Sequence, residues 1–243
     1  FVVGGGAIVR PSSDPTTVYF FGKACPAPDR VCNALYAAAL YNVGSSHVAM
    51  SGQSVLMGNT SMIDGGAGVA TFALVAGTLL SANEQFLFFS ERQLPTDLTG
   101  THCTIRRFSF IDNMTSSIAG TPTSGLGLPS ACLHMNHASG MSARFVRPGV
   151  LAALPPSSPF SLFVADNDCV RRVQVGIAGV PVSTAAFQCT LVTNPTPAPL
   201  QVLQPKATAQ VGVIHALVFH PLATDTDLRF YVGHAGGHYH GGI

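Results

Sequence analysis

Apolar residues recur along this chain in one figure. A leucine is followed six residues later by a bulky apolar residue, and two more stand at the second and third positions beyond that. The figure reads Leu80, Phe86, Phe88, Phe89, then Leu154, Phe160, Leu162, Phe163, then Leu222, Leu228, Phe230, Tyr231. A weaker copy near the start has Ser12 in the leucine slot, followed by Val18, Phe20 and Phe21. Successive copies lie 68, 74 and 68 residues apart. Short apolar runs on either side of turn residues, such as Pro11–Pro15, Pro155–Pro159 and Asp225–Asp227, predict a β-hairpin in each copy. The run 69–91 has a long uncharged start, but Gly, Thr and Ser punctuate it and its next copy carries Arg144 and Arg147. A buried hairpin is therefore expected there, and no membrane span.

A period near 70 suits a small module, and the repeat divides the chain into 1–68, 69–142, 143–210 and a partial fourth module, 211–243. The expectation is an all-β protein of tandem small β-sandwich modules. Within the first module Asn33–Tyr41 is alanine-rich and predicts a short helix. Within the second, 103–111 alternates as a strand and 116–130 reads as a long loop. The third repeats a cysteine followed by paired arginines, Arg171-Arg172, matching Arg106-Arg107. One arginine of each pair must point inward from a strand, where it would meet a carboxylate or an aromatic ring.

Each full copy carries two cysteines after its hairpin, which favours Cys25–Cys32, Cys103–Cys132 and Cys169–Cys189 among the pairings open to six cysteines. A module of this size buries too little surface to be comfortably stable, and a disulfide adds about 2–4 kcal/mol by restricting the unfolded chain. Serial disulfide-bonded sandwiches are similar to immunoglobulin-like arrays in outline only. The chain has no tryptophan, so the Cys…Trp…Cys signature is missing.

Composition sharpens the compartment. Charged residues are 9% of the chain and the net charge is +1, which leaves no electrostatic footprint for nucleic acid. Glycans or burial in an assembly would keep so uncharged a surface in solution. Asn59 and Asn113 stand in glycosylation sequons, whereas Pro195 disqualifies Asn194. Sequons and an even cysteine count predict a secreted protein, extracellular or on a cell surface. The chain opens at Phe1 without an initiator methionine, as expected of a protein from which a leader was removed or of a piece of a longer one.

Candidate chemistry is sparse. His234, His238 and His240 form a histidine cluster in a glycine frame, the best metal-binding candidate, with His215 and His220 just upstream. His134 and His137 flank Met135, and His102 adjoins Cys103; a scattered surface set is the expectation. Asp166, Asn167 and Asp168 read as a turn rather than a calcium loop. The glycine runs at 2–7 and 64–68 lack a dinucleotide or phosphate-loop context. No nucleophile elbow is present. No cofactor and no enzyme activity are expected. The chain reads as a structural subunit of a fibre, sheath or surface assembly that self-associates, with half-module complementation as a route to polymers. An adhesin or receptor-type binding ectodomain, and a viral coat protein, are the alternatives.

Overall fold

The computed structural model describes residues 11–14, 16–23, 33–42, 48–56, 64–66, 70, 72, 74–92, 103–120, 134–154, 160–187, 189, 213–224, 227–234 and 237–241. These form an all-β fold of four antiparallel meanders. The first sheet joins β1 (Thr17–Lys23), β2 (Asn33–Asn42) and β3 (Val48–Leu56). The second joins β4 (Leu74–Leu80), β5 (Phe86–Arg92), β6 (Thr104–Ser109) and β7 (Met114–Ala119). The third joins β8 (Pro148–Ala153), β9 (Ser161–Asp166), β10 (Cys169–Gln174) and β11 (Val182–Ala186). The fourth joins β12 (Ile214–Phe219), β13 (Phe230–His234) and β14 (Gly237–Gly241).

The repeat thus appears as one sheet per copy, and the apolar layers lie between sheets. Phe21 and Leu35 of the first sheet pack with Phe72, Leu87, Phe89 and Phe108 around the second. Phe88 and Ile105 of the second pack with Leu151, Leu162 and Val164 of the third. Phe163 and Val170 of the third pack with Leu217, Phe230 and Val232 of the fourth. Among the described residues, no copy closes a core between two sheets of its own. Neighbouring sheets pack on one another in sandwich-like layers, because a single sheet with two apolar faces must bury both. Ring pairs span these layers: Phe21–Phe89 at 5.0 Å, Phe88–Phe160 at 5.5 Å and Phe163–Phe219 at 4.6 Å between centroids.

The closest approaches between sheets involve β8, which lies beside β4 and β5 on one side and β12 on the other. The sheets are therefore most tightly packed at their first strands. A methyl group at Gly77 of β4 would sit 2.4 Å from the Gly149 carbonyl oxygen of β8, so only glycine fits. Ser90 Oγ donates to that same carbonyl at 2.6 Å.

Three expectations change. Residues 33–42 form strand β2, not a helix. Pairing with β1 and β3 on both edges overrides the alanine propensity. The expected loop 116–130 begins inside strand β7. Finally, the apolar figure slips by one in its second copy. Leu79↔Phe88, Ala152↔Phe163 and Val218↔Tyr231 are each the second ladder pair from the hairpin turn. Phe88, not Phe89, therefore stands with Phe163 and Tyr231, and a one-residue slip exchanges the two faces of a strand.

Candidate functional site

The strongest concentration of polar side chains is buried inside the third repeat. Arg171 projects from β10 with no solvent exposure. Its Nη1 donates to Asp166 Oδ2 at 3.2 Å and to the Arg144 carbonyl at 3.0 Å. Its Nη2 donates to the Met135 carbonyl and to Asn136 Oδ1, both at 2.9 Å. The guanidinium also lies over the Phe145 ring, 5.2 Å from its centre. Asp166, the last residue of β9, accepts from the Val146 and Arg147 amides at 2.9 and 2.7 Å. Burial depresses the Arg171 pKa, and Asp166 offsets part of that effect.

The second repeat carries a parallel arrangement. Arg106 of β6 is fully buried and ion-pairs with Glu91 at 3.1 Å and with Asp64 at 3.0 Å. It lies over Phe72 and Phe89 at 5.4 and 5.6 Å. Arg106 faces Phe89 and Arg171 faces Val164, and the paired carboxylate lies two residues beyond that partner in both sheets. Asp64 accepts from the Ser117 amide, while Asn136 Oδ1 accepts from Thr184 Oγ1. The neighbouring Arg107 and Arg172 lie over Phe86 and Phe163 on the opposite face. Arg106 and Arg171 are thus held by carboxylates, acceptors and rings, although Arg171 Nε is buried without a hydrogen-bond partner.

His134 breaks the parallel. Its Nδ1 is 3.0 Å from Asp166 Oδ2, and its Nε2 is 3.5 Å from Asp168 Oδ1. The first is a good hydrogen bond and the second is an ion pair with poor hydrogen-bond geometry. Burial is the largest single influence on His134 and opposes its charge. The bonds to Asp166 and Asp168 and the charge of Asp166 outweigh it and raise the pKa to about 9. The imidazolium is held beside the Cys169–Cys189 disulfide, with Nδ1 3.8 Å from Cys169 Sγ. His134 is thus a partly buried residue tied to two carboxylates and not the surface residue expected. Nothing local marks it, because its partners come from a hairpin 32 residues away. His137 is exposed. Asp166 turns inward to Arg171, so the Asp166–Asp168 turn offers no calcium loop.

The remaining candidates are dispersed. Cys103 is disulfide-bonded, and its partner lies outside the described residues, as do Cys25, Cys32 and Cys132. Asn59 also lies outside them, while Asn113 is exposed at the β6–β7 turn with a φ of 55°. His234 ends β13, and His238 and His240 belong to β14, where they pair with Gly233 and Tyr231. Among the described residues, the group spaced to hold a metal is His134, Cys169 and Cys189, whose two sulfurs are joined to each other. No described helix is long and apolar enough to cross a membrane.

The fourth sheet, the partial module of the sequence reading, carries an exposed apolar pair. Val218 and Tyr231 face each other across β12 and β13 and are 60% and 44% exposed. Their counterparts Leu79–Phe88 and Ala152–Phe163 are covered by the next sheet. Leu222, 68% exposed, extends the apolar character into the adjoining turn.

No family model matches the chain, and no curated protein matches it. Among solved structures it is similar to a Bacteroides thetaiotaomicron protein called a "putative phosphatase", at 9% identity and a TM-score of 0.51. The match covers 93% of this chain and 57% of that one. At this identity the likeness is one of fold.

Proposed function

We propose that this chain is a secreted structural subunit that works by self-association through the open face of its fourth sheet. The observation that carries this reading is the Val218–Tyr231 pair. The equivalent pairs in the two preceding sheets are buried by a following sheet, whereas Val218 and Tyr231 are 60% and 44% exposed. An apolar face of this kind is a docking surface unless it is covered. A second copy, related by a two-fold axis, would cover it with the same surface. On the far side of the first sheet Val18, Phe20 and Ala38 are already buried, which favours a closed pair over a head-to-tail polymer.

Other features fit the same reading. The buried ion pairs of Arg106 and Arg171 join neighbouring strands and so serve packing. A disulfide within the third repeat suits an oxidising compartment. The exposed turn position of Asn113 suits an attached glycan. Sedimentation velocity of the wild type and of Tyr231→Arg tests the proposal. The wild type is expected to sediment as a dimer and the variant as a monomer with an unchanged far-ultraviolet spectrum. A wild type that stays monomeric across the micromolar range would sink it.

A further inference from the structure

We infer that the Cys169–Cys189 bridge is a thiol-exchange site, at which a low-molecular-weight thiol joins Cys189 and Cys169 is released as a thiolate. The two sulfurs differ in access and in surroundings. Cys169 is completely buried, whereas Cys189 is half-buried, so an incoming thiolate reaches Cys189 first. The sulfur expelled by that attack is the one beside His134, 3.8 Å from Nδ1. Asp166 and Asp168 on either side of the ring keep it protonated, and Arg171 is the further cation of the cluster. A thiolate next to an imidazolium is a better leaving group than one in apolar surroundings.

The step balances without an added oxidant or reductant. The incoming thiolate forms a bond to Cys189 Sγ, the Cys169–Cys189 bond breaks, and its electron pair stays on Cys169 Sγ. The product is a mixed disulfide at Cys189 with a buried thiolate at Cys169 beside the His134 ring. The disulfide at Cys103 supplies an internal reference. Cys103 Sγ lies 3.3 Å from the Val146 carbonyl oxygen, much as Cys169 Sγ lies 3.5 Å from that of Asp166, and Cys169 has the His134 ring beside it in addition.

The test is native-state incubation of the full chain with reduced glutathione, quenched with iodoacetamide and read by peptide mass spectrometry. Glutathione is expected on Cys189 and carbamidomethyl on Cys169. The bridge should open about tenfold faster than the one at Cys103. His134→Gln, with a native circular dichroism spectrum, should slow opening at Cys169–Cys189 by a similar factor and leave the Cys103 bridge unchanged. Glutathione on Cys169 overturns the inference. So do equal opening rates for the two bridges, or a natively folded His134→Gln variant that reacts at the wild-type rate. The adduct position and the ratio between bridges decide the matter in the wild type alone, even where the variant does not fold.

Discussion

Arg106 and Arg171 impose the strictest demands of any residues in this chain. A guanidinium removed from water is tolerated only where carboxylates and other acceptors surround it, and removing one partner strands a buried charge. Glu91→Leu is therefore expected to lower the unfolding free energy by about 3–5 kcal/mol. Adding Arg106→Met should recover most of that loss, since Asp64 is half-exposed and can be solvated. Urea denaturation of the two variants checks both. His134 gives a pH signature of definite sign. Its pKa rises from 6.5 unfolded to about 9 folded, so its contribution is full below the unfolded value and disappears as pH rises through about 9. The stability difference between the wild type and His134→Gln should shrink over that window. The paired arginines were legible in the sequence because alternation turns one of each pair inward. His134 was not, because a residue before β8 meets its carboxylates only after β9 and β10 fold back.

At the scale of the element, turn chemistry and close approach decide the geometry. Glu84 caps the loop at residues 12–13. Hydrogen bonds from Ser12 and Ser13 to its carboxylate depress its pKa to about 2. This contact ties the leading segment to the β4–β5 hairpin and weakens as pH falls through about 2, opposite in sign to His134. Gly77→Ala should cost about 1–3 kcal/mol, because its new methyl meets backbone in β8 and not a side chain that can move. A lowered thermal midpoint with a retained far-ultraviolet spectrum is the expected result. Strand periodicity revealed most of the hairpins. It failed at β2, whose alanines favour a helix until two strands pair with them. It also failed on register, because the second hairpin reaches its ladder one residue earlier than its sisters.

For the whole molecule, the repeat was legible and the manner of its packing was not. Apolar residues on both faces of each strand pair fit a sandwich as well as a stack. What separates the two is that Phe88 packs with the third sheet while Phe163 packs with Val232 of the fourth. Stacking makes each sheet depend on its neighbours, as in other repeat architectures. Among the described residues it also leaves Val218, Leu222 and Tyr231 well exposed at the fourth sheet. That exposed surface is the centre of the functional account, and side-chain footprinting addresses it directly. Hydroxyl-radical labelling of Val218, Leu222 and Tyr231 should fall as protein concentration rises, while Ile111, 67% exposed on a distant turn, should keep its labelling. Labelling of the three that stays constant and as strong as that of Ile111 at every concentration would contradict the account.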